Sequence, residues 1–215
     1  MKYQCALFDL DGVLVDTAKY HYLAWKELAD QLGFDFTLQH NERLKGVSRM
    51  ASLDILLEIG QMQDRFTEAE KEKLASEKND RYVAYIHKMD ASELLDGALE
   101  LLHELRQRGI QIALGSASKN APLILDRTGI SSYFDAIVDG NSVSKAKPDP
   151  EVFKLGADKL NVPYRACAVF EDSQAGLEAA KAAEMLAIGI GEAGNLTQAD
   201  IVYRNLKEIE VDKYF

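Results

Sequence analysis

The sequence predicts an α/β protein: a parallel sheet flanked by helices, interrupted after its first strand by a helical insertion. Three observations carry this expectation. The apolar run "QCALFDL" (Gln4–Leu10) reads as a buried strand. From Thr17 to Met89 the apolar residues recur at helical spacing, with no convincing strand pattern. From Leu94 onward apolar runs alternate with helical stretches, which is the pattern of βαβ units.

Along the chain, Ala18, Tyr22, Trp25, Leu28, Ala29 and Leu32 form one helical stripe, and Gly33 supplies the stop. Ser48–Ile59 and Thr67–Lys88 are also helical. The second opens on a capping box, Thr67-Glu68-Ala69-Glu70. A helix through "ALELLHELRQRG" ends at Gly109 and the strand "IQIALGS" follows. Next come a helix over Ala121–Arg127, a short strand over Ala136–Val138 and a helix after Pro150. The strand "CAVFED", the helix "SQAGLEAAKAAEM" and the strand "LAIGIG" complete the series. The expected domains are therefore a core of residues 1–16 and 90–215 and a helical insertion of residues 17–89.

The chain has 215 residues, 47% of them apolar, enough for a substantial core. A net charge of −10 without a basic block argues against nucleic acid as a partner but leaves room for a small anionic substrate. No apolar stretch approaches the ~18 residues of a membrane span. Met1 leads directly into the first strand-like run, without a signal-peptide pattern, so the expected location is cytoplasmic. Cys5 and Cys167 lie far apart inside apolar runs and are expected as buried free thiols.

Asp9 and Asp11 in "FDLDGVLVDT" (Phe8–Thr17) end the first strand. Positions i and i+2 of a strand share a face, and ligands bind at the C-terminal edge of open parallel sheets. Two carboxylates there repel unless a cation such as Mg²⁺ lies between them. Alternatively one is a nucleophile and the other an acid/base. The plain alternative is a solvated strand end with an Asp-Gly turn.

"DLDGVLVDT" resembles the first motif of the haloacid-dehalogenase-like phosphotransferases. Three further motifs follow in the family's order: Ser116 after "IALG", Lys147 in "KAKPDP", and "FEDS" at Phe170–Ser173. The resemblance implies a Rossmann-like core with an inserted cap. It makes Asp9 the nucleophile that forms an aspartyl-phosphate and Asp11 the general acid/base. Ser116 would hold phosphoryl oxygens and Lys147 would supply a positive charge; Lys145 is a nearby competitor that the Lys-Pro match disfavours. Mg²⁺ would be held by Asp9, the Asp11 backbone carbonyl, Glu171 and Asp172.

The stretches "TAKYHYLAWKELA", "NERLKGVSRMASL" (Asn41–Leu53) and "SASKNAP" resemble the glucose-phosphate mutases of that family. This implies substrate-binding positions at Thr17, His21, Trp25, Lys45, Gly46, Val47, Ser48, Arg49 and Ser52 in the insertion. In the core it implies Ala117, Ser118, Lys119 and Asn120. From the residues alone, Lys45 and Arg49 around Gly46 could grip a phosphate, or be a solvated pair beside a capping Ser48. His21 is either structural or, as the resemblance has it, positions Asp11. Trp25 is ambiguous between core and sugar platform, with core packing favoured.

The implied reaction interconverts β-D-glucose 1-phosphate and D-glucose 6-phosphate, with β-glucose 1,6-bisphosphate as intermediate and primer, in a monomer. A sugar-phosphate phosphatase and a non-catalytic phosphosugar-binding regulator are the alternatives. Asp96 before Gly97, Met50-Ala51 after Arg49, and the tail beyond Asp200 depart from the mutase pattern. "GIGEAG" (Gly189–Gly194) matches a dinucleotide-binding glycine pattern, but too little chain follows, so it is expected as the loop after the last core strand.

Overall fold

The structure, a computed structural model, describes residues 3–44 and 47–215. Its elements run β1 (Cys5–Phe8), α1 (Ala18–Leu32), α2 (Leu38–Glu42), α3 (Arg49–Ile59), α4 (Glu68–Ile86), α5 (Ala98–Gln107), β2 (Gln111–Gly115), α6 (Ala121–Thr128), β3 (Ala136–Val138), α7 (Glu151–Leu160), β4 (Cys167–Glu171), α8 (Gln174–Ala182), β5 (Leu186–Ile190), β6 (Ile201–Tyr203) and α9 (Val211–Tyr214).

The chain divides into two compact units. One is the chain up to Asp16 together with Met89–Phe215; the other is Thr17–Lys88. The boundary expected after Met89 falls before it, because the fully buried Met89 clusters with the first unit.

In the first unit six strands form a parallel sheet in the order β3-β2-β1-β4-β5-β6. β1 is central. Phe8 pairs in register with Leu114 of β2 on one side and Phe170 of β4 on the other. Every residue of β1 and β4 is buried, as both faces of a parallel sheet are covered by helices. Cys5 and Cys167 are register partners there, buried and free. The sheet has one strand more than expected: Gly189 and Ile190 of the glycine pattern end β5, the loop begins at Gly191, and β6 follows it on the outer side of β5 rather than β5 being the last strand.

In the second unit α1, α3 and α4 enclose a core of Trp25, Leu28, Phe36, Leu53, Leu56, Leu57 and Leu74. Thr67 and Glu70 cap α4 reciprocally, as the sequence predicts. α2 was not expected; the Thr37 and His40 side chains cap it through each other's backbone N–H.

Candidate active site

The C-terminal ends of β1, β2 and β4 bring the acidic and hydroxyl side chains together. β1 stops at Phe8, and the Asp9 N–H still donates to the Phe170 carbonyl at 3.0 Å, which sets Asp9 beside Glu171. Asp11 does not continue that strand, contrary to the expected shared face. The chain turns back at Gly12, whose φ is 83° and whose N–H donates to the Val15 carbonyl at 2.9 Å. Asp11 therefore lies in the reversal between Leu10 and Val15, whose N–H donates to the Leu10 carbonyl at 3.1 Å, and not on the strand with Asp9. A Cβ at Gly12 would lie 2.0 Å from Asp172 Oδ2, so glycine is needed for both the turn and the close approach.

Lys147, just before α7, is buried across the ends of β1 and β4. Its Nζ lies 2.5 Å from Asp9 Oδ1, 2.8 Å from Glu171 Oε2 and 4.8 Å above the Phe153 ring. Lys145 instead pairs with the exposed Asp149. Glu171 is held at both oxygens. Oε2 accepts from Lys147, and Oε1 accepts from the Ser173 hydroxyl at 2.6 Å and its N–H at 3.2 Å. Ser173 in turn caps α8 by accepting from the Gly176 N–H at 3.1 Å. A Cβ at Gly176 would stand 2.0 Å from Glu171 Cδ. Sequence reasoning missed both Ser173 and Gly176 as the seat of Glu171.

One ammonium thus pairs with Asp9 and Glu171, while Asp11 and Asp172 add further negative charge around Asp9. Burial first, then the charge of Glu171, pushes the Asp9 carboxyl well above its usual range despite the opposing pull of Lys147. Asp172 is pushed up to about 7 by burial of its carboxylate and the charges of Glu171 and Asp11. For Lys147 burial works against the charged form, but Asp9 and Glu171 outweigh it and hold the ammonium protonated. The carboxylate oxygens of Asp9, Glu171 and Asp172 lie within 4.8 Å of one another. A hard all-oxygen donor set with surplus negative charge fits a Mg²⁺ ion.

Ser116, 1% exposed, follows β2 directly. Its N–H donates to the Val138 carbonyl at 3.0 Å, and its hydroxyl accepts from the Ser118 N–H at 3.0 Å. Ser118 Oγ accepts from the Asn120 N–H at 3.2 Å, which folds Ser116–Asn120 into a compact loop ahead of α6.

Within the second unit, Lys45 and Gly46 lie outside the described residues. Val47 is 43% exposed, and Ser48 caps α3 by accepting from the Ala51 N–H at 3.3 Å. Arg49 donates to Asn79 Oδ1 at 2.8 Å. Thr17, Trp25 and Ser52 are buried, with Trp25 in the unit's core. His21 stacks on Tyr82 at 4.0 Å and has its Nδ1 3.0 Å from Lys78 Nζ. Burial, then the charges of Lys78 and Arg49, hold His21 well below its usual pKa, so the imidazole is neutral.

Lys78 also escaped sequence reasoning. It is 3% exposed, with its ammonium 4.5 Å from the Trp25 ring centre and 4.9 Å from that of Tyr82. Its signal was available: Leu74, Lys78, Tyr82 and Ile86 fall on one stripe of α4, so the lysine occupies a core position.

The family model for haloacid dehalogenase-like hydrolases matches residues 3–184. A β-phosphoglucomutase of Bacillus subtilis is 43% identical over 209 residues, covering 97% of this chain and 92% of the relative. A phosphorylated carbohydrates phosphatase of Thermotoga maritima is 34% identical over 185 residues, covering 84% of this chain and 81% of that one. The crystal structure of a β-phosphoglucomutase from Clostridium difficile superposes with a TM-score of 0.91 at 41% identity, covering 98% of this chain and 95% of that one.

Proposed function

The chain belongs to the haloacid dehalogenase-like hydrolase family, and we propose that it interconverts β-D-glucose 1-phosphate and D-glucose 6-phosphate. The observation that carries this reading is the 43% identity to a β-phosphoglucomutase over 97% of the chain, helical insertion included. The buried Asp9–Lys147–Glu171 cluster supports the phosphotransfer chemistry that such a reaction needs.

In this reading an Asp9 oxygen attacks phosphorus. A phosphorus–oxygen bond to Asp9 forms as the bond to the sugar oxygen breaks, and Asp11 gives that oxygen its proton. In the return step Asp11 takes a proton from a sugar hydroxyl, which accepts the phosphoryl group from Asp9. β-Glucose 1,6-bisphosphate is the intermediate between the two half-reactions and primes the cycle. Ser116 and the backbone N–H groups of Ala117 and Lys119 hold phosphoryl oxygens, with Ser118 and Asn120 completing the loop that carries them, and Lys147 offsets their charge. Mg²⁺, held by Asp9, the Asp11 carbonyl, Glu171 and Asp172, would neutralise charge between Asp9 and the phosphate. In the insertion, Lys45, Arg49 and the Gly46–Ser48 backbone grip the phosphate that is not transferred. His21 positions Asp11, Thr17 and Ser52 help to bind the sugar phosphate, Trp25 packs in the insertion's core behind that site, and the insertion acts as a cap that excludes water.

The likeness to the carbohydrate phosphatase favours a second reading, in which water takes the phosphoryl group from Asp9. One experiment separates the two. The protein is incubated with β-glucose 1-phosphate, Mg²⁺ and a trace of bisphosphate and followed by phosphorus NMR. The mutase reading expects glucose 6-phosphate with little inorganic phosphate, no reaction of the α anomer, and no turnover by Asp9→Asn. Mainly inorganic phosphate would move the protein to the phosphatases. An Asp9→Asn variant within tenfold of the wild-type rate would remove Asp9 as nucleophile.

A further inference from the structure

A second loop, Asp139–Ser142, follows β3 and packs against the backbone of Ser116–Asn120. The Gly140 N–H donates to the Ser118 carbonyl at 3.1 Å, and Asn141 Nδ2 donates to the Lys119 carbonyl at 3.1 Å. A Cβ at Gly140 would lie 2.2 Å from the Ala117 carbonyl oxygen and 3.0 Å from the Lys119 nitrogen, so the two backbones approach as only glycine allows.

Asp139 buckles this second loop. The residue is 8% exposed, and its carboxylate accepts from the Asn141 N–H at 3.0 Å, Asn141 Nδ2 at 3.0 Å and the Ser142 hydroxyl at 2.7 Å. Asn141 Nδ2 therefore bridges two acceptors, one on each loop. These bonds are the reason the Asn141 amide can point only one way.

Peptide planarity converts the contacts into aim. In a trans peptide the carbonyl of one residue and the N–H of the next point in opposite directions. The carbonyls of Ala117, Ser118 and Lys119 all face the Asp139–Ser142 loop. The N–H groups of Ser118, Lys119 and Asn120 therefore face away from it. Ser118 N–H is taken by Ser116 Oγ and Asn120 N–H by Ser118 Oγ. Lys119 N–H, between them, has no acceptor among the described residues.

We propose that Gly140 and Asn141, buckled by Asp139, are positioning residues that aim the Lys119 N–H at a phosphoryl oxygen of the substrate. This rests on the reading above that the Ser116–Asn120 loop holds phosphate. It applies to that loop whether a sugar or water accepts the phosphoryl group. It places part of the phosphate specificity in a segment that itself touches no substrate.

The test uses the full chain with Mg²⁺ and inorganic phosphate as the probe. In the wild type the Lys119 amide proton should move downfield on saturation with phosphate, and in Asn141→Ala it should move much less. Phosphate affinity should fall about three- to tenfold in Asn141→Ala, the loss expected of one aimed hydrogen bond, with Mg²⁺ affinity unchanged. KM for the phosphosugar should rise by a similar factor, and kcat should change less. Gly140→Ala should reproduce the pattern by pushing the loops apart, and it stands in if Asn141→Ala does not fold. A purely structural role predicts a lower melting temperature with phosphate affinity intact, and that result would overturn the inference. Ser116→Ala distinguishes the two failures. If it weakens phosphate binding while Asn141→Ala and Gly140→Ala do not, only the positioning role is lost. If Ser116→Ala also binds phosphate as the wild type does, the reading of the whole loop falls, and this inference with it.

Discussion

Lys147 Nζ lies 2.5 Å from Asp9 Oδ1, and both side chains are 9% exposed. The proposed nucleophile and the lysine that the third motif supplies thus form one buried ion pair, with Glu171 completing it at 2.8 Å. Removing one member of such a pair leaves an uncompensated buried charge.

Lys147→Met should therefore cost stability of about 3–5 kcal/mol at neutral pH without metal. The loss should shrink on acidification, because the carboxylates left behind can take up protons. Denaturant unfolding at pH 5 and pH 8 measures this. An equal loss at both values would mean that the methionine disturbs packing rather than charge.

Asp172 makes a prediction with the opposite sign from an ordinary salt-bridged carboxylate. Its folded-state pKa is raised to about 7, so between its unfolded value and 7 the folded state holds more protons than the unfolded one. Stability from this group falls as pH rises through that window. In metal-free protein Asp172→Asn should be more stable than wild type, with a gap that opens from pH 5 to pH 7 and then levels. Mg²⁺ should raise the wild-type melting temperature more at pH 7.5 than at pH 5.5. A gap independent of pH would show that Asp172 is not charge-crowded.

His21 is held neutral by burial and by the charges of Lys78 and Arg49. Lys78→Met keeps the length of the side chain and removes one charge. The His21 pKa, followed by NMR, should rise relative to wild type. An unchanged value would mean that burial and Arg49 set it and that the 3.0 Å contact with Lys78 carries no electrostatic weight.

Gly176→Ala puts a methyl group where Glu171 now sits, 2.0 Å from its Cδ. The carboxylate must move off Ser173 or off Lys147. Stability should fall by about 1–3 kcal/mol, as for an overpacked site, and Mg²⁺ should bind more weakly by calorimetry. Wild-type Mg²⁺ affinity would show that the seat under Glu171 does not matter for the cluster.

The parallel strands were legible because burial on both faces makes them continuous apolar runs, as in Cys167–Glu171, with the charge placed at the end. β6 was not, since Ile201–Tyr203 is short and half-buried at the sheet edge. α2 spans only Leu38–Glu42, and its one large apolar residue, Leu38, is 66% exposed, so no stripe announces it. In the candidate site the carboxylates could be read from where the strands end. Their mutual arrangement could not, because β1 already ends at Phe8 and the chain reverses between Leu10 and Val15, carrying Asp11 off the strand. Lys78 was legible but overlooked: it falls on the stripe of Leu74, Tyr82 and Ile86, in a helix otherwise rich in exposed charge.

The position of β1 has a consequence for biosynthesis. Cys5 pairs with Gln111 and with Cys167, so β1 must wait for two strands that follow it in the chain. Thr17–Lys88 has its own core and draws only on neighbouring sequence, so a growing chain can complete it first. Closing the long loop to β4 carries the entropy that local contacts avoid. Asp9 therefore meets Glu171 and Asp172 only once the chain through β4 has been translated. A nascent chain that stalls before Cys167 lacks the acidic cluster and has no competent phosphotransfer centre.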